Sequence, residues 1–258
     1  MLRSRLIPCL LVHKGGLYKT VKFKDHRYVG DPINAVRIFN EKEVDELVVL
    51  DIDASREGRE PNYALIASLA AECRMPLCYG GGITRPDQVE KIVSLGVEKV
   101  AMSSGAIADS GLIPESVRRV GSQSVVFVVD AKKTGMLSKR YEAFTHNGGR
   151  PTGRIAEDLA ARAQELGVGE IIVNSIDRDG TCQGYDLELI ETVKSVVRVP
   201  VTALGGARSL ADVDTLTARL GLVGAAAGSM FVFKGKYRAV LIQYPRPDDK
   251  LKVLFRVE

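Results

Sequence analysis

Five aspartates stand where short apolar runs give way to polar ones: Asp51 and Asp53, Asp130, and Asp177 and Asp179. Carboxylates so placed can move protons or orient a polar substrate. Asp130 is the sharpest case, because it follows Val125-Val126-Phe127-Val128-Val129 directly. A carboxylate ending a wholly apolar run loses solvation unless it has a partner or a task, which makes Asp130 the candidate catalytic group. A loop cap or an ion pair with Lys132 is the structural alternative. Asp51 is expected to position a substrate or to brace the same rim.

A second chemistry is anion binding. Gly80-Gly81-Gly82 follows one apolar run and Gly205-Gly206 follows another. Glycines at such places let backbone N–H groups close around a phosphate, although tight turns need glycine for their own sake. Ser103-Ser104 and Gly228-Ser229 would add hydroxyls to the same two sites, and Asp179 and Gly180 join the substrate-binding candidates. Two such sites fit a substrate with a phosphate at each end. Lys19, in the loop after the first apolar run, is either a phosphate or hydroxyl ligand or a solvated surface lysine.

These residues need a frame. Continuous β-rich apolar runs lie near 6–12, 47–52, 76–79, 99–102, 124–129, 170–174, 199–203 and 223–226. Continuous rather than alternating runs suit strands buried on both faces of a parallel sheet. Amphipathic stretches fill the gaps. Asp31-Pro32 and Thr84-Arg85-Pro86-Asp87 read as helix starts, Ile155, Leu159, Ala163 and Leu166 keep helical spacing, and Gly167 closes that helix. Eight strands alternating with helices is the count of a single (β/α)8 TIM barrel, an α/β fold. In that fold the acids and glycine pairs all fall on the rim at the strand C-termini.

A repeat supports the barrel. Ile52-Asp53 recurs as Ile176-Asp177, Pro76 as Pro200, and Gly81-Gly82 as Gly205-Gly206, always 124 residues on. The spacing predicts two half-barrels, about 1–122 and 123–258. Residues 131–151 break the pattern with Tyr141, Phe144 and Gly148-Gly149, and read as a β-hairpin excursion over the rim.

Composition narrows the function. The 258 residues carry a formal charge of +4, too small and too evenly spread for a nucleic-acid partner. The absence of an 18-residue apolar segment or a signal-length apolar start argues against a membrane partner and for a cytoplasmic location. Cys9, Cys73, Cys78 and Cys182 form no C-x-x-C pair and read as free thiols in a reducing compartment. His13, His26 and His146 lack ligand spacing, so no metal and no cofactor is expected.

VVLDIDAS at 48–55, YGGGI at 79–83, VVDAK at 128–132, SIDRDGT-x-x-GYD at 175–186 and ALGGA at 203–207 together resemble the cyclase subunit of imidazole glycerol phosphate synthase. The likeness runs in order from about Arg3 to Phe233. It implies a lyase/cyclase barrel that docks a glutaminase subunit at the strand N-terminal face. Ammonia would pass through the barrel to a phosphorylated substrate at the rim. It also implies that Arg5, Glu46, Lys99 and Glu170 form a charged ammonia gate, with Glu98 beside it on the docking face.

The family's reaction uses two rim aspartates, one as acid and one as base. Asp130 matches the second. Leu11 occupies the place of the first, and leucine exchanges no proton. The ending Phe231-Val-Phe-Lys-Gly-Lys-Tyr237 and Ile242-Gln-Tyr-Pro245 departs as well. Both departures resemble a paralogous branch in which barrel and glutaminase supply ammonia to a separate amidotransferase, for acetamidino sugars of surface polysaccharide such as lipopolysaccharide. A histidine-biosynthesis cyclase, a non-catalytic ammonia conduit and an aldose–ketose isomerase of the sister barrel family are the alternatives.

Overall fold

The computed structural model describes residues 4–135 and 140–254. Eight parallel strands close on themselves: β1 (Arg5–His13), β2 (Leu47–Asp51), β3 (Leu77–Gly80), β4 (Lys99–Met102), β5 (Val125–Thr134), β6 (Glu170–Ser175), β7 (Val201–Leu204) and β8 (Gly224–Ala227). The ring is completed by β8 against β1, with Arg5 opposite Gly224 and Pro8 opposite Ala227. Helices alternate with the strands, so the chain is a (β/α)8 barrel, as its apolar runs predict. No helix among the described residues is long and apolar enough to cross a membrane.

The helix starts follow their local chemistry. The Asp31 carboxylate accepts from Asn34 N–H at 2.8 Å and Pro32 opens the helix Pro32–Glu41. Gln88 Oε1 accepts from both Thr84 and Arg85 N–H at the start of Pro86–Ser94, at 2.8 and 3.1 Å.

Strand alternation splits the core in two. One set of side chains packs outward beneath the helices, with Leu6, Leu10, Val49 and Phe127 among its buried members. The other fills the barrel: Ile7 and Cys9 of β1, Val48 of β2, Cys78 of β3, Ala101 of β4, Val126 and Val128 of β5, Ile172, Leu204 and Ala226. These inner side chains form one apolar cluster.

Two hairpins rise from the C-terminal rim. The expected excursion is the antiparallel continuation of β5 with strands Arg140–Thr145 and Arg150–Ile155; its residues 136–139 lie outside the described chain. The other is a finding. Gly16–Val21 and Lys24–Gly30 pair antiparallel on the end of β1, where the sequence suggested only a loop.

Candidate functional site

The duplicated glycines occupy matching positions. Gly81 has φ +124° and Gly205 has φ +98°, conformations that L side chains rarely adopt. An added Cβ would stand 2.4 Å from the Asp51 carbonyl oxygen in one case and 2.8 Å from the Ser175 oxygen in the other. Asp51 and Ser175 are themselves 124 residues apart, so the sequence repeat is also a repeat of backbone contacts.

One pocket gathers the predicted residues at the C-terminal rim. Gly81, Gly82, Ser103 and Ser104 line one side of it, and Gly205, Gly206, Gly228 and Ser229 line another. Asp51, Asp130, Asp179, Gly180 and Lys19 complete the predicted set, and Leu11 lines the same pocket. The Ser103 hydroxyl is buried without a hydrogen-bond partner. A buried, unsatisfied hydroxyl beside two left-handed glycines is well suited to an oxyanion. The Ser104 hydroxyl accepts from His146 N–H at 3.2 Å, which ties the excursion to this side.

The acids divide by role. Asp130, partly buried at the point where β5 leaves the barrel, accepts from Asn174 Nδ2 at 2.8 Å. Burial pushes its carboxyl up to about 6; the Asn174 hydrogen bond opposes that rise and the nearby Asp179 charge adds to it. Among the described residues no ion pair joins Asp130 to Lys132. Asp51 braces the rim by accepting from Asp53 and Ala54 N–H at 2.9 and 3.1 Å. Asp53 is taken by His13 Nδ1 at 2.7 Å and Lys14 N–H at 2.8 Å, and Asp177 by Lys133 N–H at 2.9 Å. Asp179 accepts from Thr20 Oγ1 at 2.7 Å and Phe23 N–H at 3.0 Å, and burial raises its carboxyl as well.

Lys19 corrects the sequence reading. It lies on a strand, not in a loop, and only 6% of it is exposed. Its ammonium donates to the Cys9 carbonyl and lies against Gly228, where an added Cβ would meet it at 2.4 Å. Burial lowers its pKa, against the opposing charge of Asp179. A solvated lysine is excluded; this one is aimed into the pocket.

Asn174, Asn147 and Phe23 are among the pocket residues that carried no flag in the sequence. Asn174 ends an apolar strand just as Asp130 does, and the same argument applied to an amide would have found it. Phe23 sits at φ +61° with Lys22 at +52°, an uncommon conformation for bulky residues. Asp179 holds that turn, its backbone oxygen accepting from Lys22 N–H at 3.0 Å and its carboxylate from Phe23 N–H. An added Cβ on Gly148 would lie 3.3 Å from the Phe23 ring, so the tips of the two hairpins meet over the pocket.

At the opposite end the barrel is closed by charge. Arg5 donates to Glu46, and to Glu170 at 2.7 Å, while Lys99 Nζ lies 2.9 Å from Glu46 and 2.8 Å from Glu170. Each carboxylate touches both cations, and Thr202 Oγ1 adds a bond to Glu170 at 2.6 Å. Burial works to raise the Glu170 carboxyl, but Arg5 and Lys99 outweigh it and hold it below the usual range.

Leu11 belongs to β1 and Asp130 to β5, four strands apart in a ring of eight. They therefore face one another across the pocket, a carboxylate opposite a leucine. Leu11 itself can neither give nor take a proton, so the direct counterpart of Asp130 across the barrel is not an acid.

Comparison with known proteins agrees with this architecture. A family model described as histidine biosynthesis protein matches residues 5–238. A protein of Leptospira borgpetersenii, provisionally named imidazole glycerol phosphate synthase subunit HisF, is 57% identical over 250 residues, 97% of this chain and 98% of that one. A Pseudomonas aeruginosa protein, provisionally named subunit hisF2 of the same synthase, is 56% identical over 95% of this chain and 97% of its own. A Streptomyces griseus protein named imidazole glycerol phosphate synthase subunit HisF is 44% identical over 82% of this chain and 83% of its own.

Proposed function

Because the chain belongs to the histidine biosynthesis protein family, among relatives of imidazole glycerol phosphate synthase subunit HisF, we propose that it is the ammonia-using barrel subunit of a glutamine-dependent synthase. The observation that carries this reading is the polar–apolar–polar order along the barrel axis. A closed ring of Arg5, Glu46, Lys99 and Glu170 lies at one end, the apolar interior in the middle, and the pocket at the other. Neutral ammonia crosses an apolar interior at far lower cost than a charged species does. A glutaminase partner docked at the strand N-terminal face would deliver ammonia to the ring, which must part to admit it. The two glycine–serine sites would hold a phosphorylated small molecule by both ends.

The finer assignment is to a branch in which this barrel supplies ammonia to a separate amidotransferase acting on surface-polysaccharide sugars. Leu11 opposite Asp130 supports it, because a cyclase that needs a carboxylate at each of these places has one of them here. A cytoplasmic location goes with that reading, with no cofactor, metal, nucleic-acid or membrane partner. The histidine-pathway cyclase is the second reading. It is favoured by Asp130, held at about 6 and so close to working pH, and by two intact glycine–serine sites.

The test is turnover of the histidine pathway's phosphoribosyl-formimino substrate by the purified chain, with ammonium salt and no partner, beside Leu11→Asp. We expect no turnover by the natural chain and turnover gained in Leu11→Asp. Robust turnover by the natural chain would instead restore the histidine reading. Co-purification with a glutaminase separates either reading from the isomerase.

A further inference from the structure

The two glycine–serine sites repeat in backbone but differ in the charges around them. Beside Gly82 and Ser104 lie Arg59 and Arg85, and both are spent on carboxylates. Arg59 pairs with Glu57 at 2.5 Å, and Arg85 with Glu60 at 2.7 Å and Asp87 at 3.2 Å. Among the described residues, the cations beside Gly228 and Ser229 have no such partners. Arg238 Nη2 lies 3.4 Å from Ser229 Oγ, and the Lys19 ammonium lies against Gly228. Arg27 donates to the Arg238 carbonyl at 3.1 Å, and both guanidiniums sit on the Phe233 ring, at 4.8 and 4.6 Å from its centroid.

Two like charges sharing one ring repel each other. Among the described residues neither Arg27 nor Arg238 is ion-paired with a carboxylate. The Phe233 ring orients them, since stacking fixes a guanidinium that is otherwise free to swing. The backbone is committed too: Arg238 has φ +50° and closes a turn by donating its N–H to Gly235 O at 3.1 Å. An anion lying between the guanidiniums would offset their repulsion and accept from both.

A phosphate monoester carries at most about two negative charges, which the Lys19 ammonium, the Ser229 hydroxyl and the backbone N–H groups can meet. The arginine pair adjoins that site through Ser229, whose Oγ lies 3.4 Å from Arg238 Nη2. We infer that the second glycine–serine site continues into a diphosphate subsite, in which Arg238 and Arg27 take the phosphoryl group beyond the one held by Gly228 and Ser229. This rests on the reading of Gly205, Gly206, Gly228 and Ser229 as an anion site. The ligand class is a phosphoanhydride at this end and a single phosphate at the other.

Calorimetric titration of the full chain with inorganic phosphate and with inorganic pyrophosphate tests it, beside Arg238→Gly. Glycine keeps the left-handed backbone of residue 238 and removes only the side chain, and Arg238→Lys serves as the charge-preserving control. Pyrophosphate should bind the natural chain roughly tenfold more tightly than phosphate. That preference should vanish in Arg238→Gly and return in part in Arg238→Lys. Equal affinity for the two anions, or a preference that survives in Arg238→Gly, overturns the subsite while leaving the phosphate site standing. If neither anion binds the natural chain, the phosphate site and its extension fall together.

Discussion

Asn174 donates to Asp130 at 2.8 Å across the pairing of β5 with β6, where the two are register partners. The contact orients a carboxylate at the end of the apolar run of β5 that, among the described residues, has neither a cation nor a backbone N–H on it. Its effect on acidity is outweighed by burial, which leaves Asp130 at about 6 and within reach of both protonation states near neutral pH.

Stability should register that balance. The Asp130 carboxyl has a folded pKa of about 6 against an ordinary value of 3.8. The folded chain therefore binds this proton more tightly than the unfolded one. The stabilisation is fully present below the ordinary value and is lost as pH rises through the folded one. Asp130→Asn carries no such loss. Relative to the natural chain it should gain about 2 kcal/mol between roughly pH 4 and pH 7, a figure reduced for partial exposure. Urea melts of the two proteins across that range check it, and a difference that stays flat with pH would mean that burial does not raise this carboxyl.

The glycines of the rim differ in what they tolerate, and the contrast is measurable. Gly153, at φ +69°, has nothing within 4 Å of an added Cβ, whereas Gly81 at φ +124° would press its Cβ on the Asp51 oxygen at 2.4 Å. Gly153→Ala should cost about 1 kcal/mol from backbone strain alone. Gly81→Ala should cost about 3 kcal/mol or more and abolish phosphate binding on that side. Thermal melts with and without phosphate separate the two effects.

The legible part of this protein was what local chemistry dictates. Continuous apolar runs marked the barrel strands because parallel strands are buried on both faces. Asp130 showed itself by ending one of those runs, and Gly81 and Gly205 by recurring 124 residues apart. The hairpin formed by Gly16–Val21 and Lys24–Gly30 did not show itself, for a physical reason. Its second turn, Lys22-Phe23, contains no glycine, asparagine or aspartate, and holds both residues at positive φ only because Asp179, far along the chain, accepts from both N–H groups. Lys19 was misplaced with it, because nothing local says that this lysine turns inward to the Cys9 carbonyl. Arg238 was illegible for the same reason, its site being defined by contacts with Arg27, Phe233 and Ser229.

The charged ring can be tested without knowing the substrate. Arg5 and Lys99 are 25% and 18% exposed in their side chains, while Glu46 and Glu170 are 4% and 7% exposed. Arg5→Ala leaves two buried carboxylates on one lysine, so the loss should exceed that of a surface pair and reach about 2 kcal/mol after allowance for solvent. With a glutaminase bound, the same variant should leak ammonia to solvent while ammonium-supported chemistry stays unchanged. Equal leakage from natural chain and variant would mean that the ring does not gate.

Lys19 should trade stability against binding. Burial lowers its pKa below the ordinary 10.5. A cation so depressed is held folded at a cost below its folded pKa, and that cost disappears as pH rises toward the unfolded value. Lys19→Met keeps the length of the stem and removes the charge. It should therefore be as stable as the natural chain or more so near neutral pH, with the difference narrowing as the medium turns alkaline. The same change removes the ammonium that lies against Gly228, so phosphate affinity should fall about tenfold. Melting curves at neutral and alkaline pH, paired with phosphate titrations, read both. Lost stability with intact phosphate binding would make Lys19 a packing element; gained stability with lost binding makes it the cation for which the pocket accepts a buried charge.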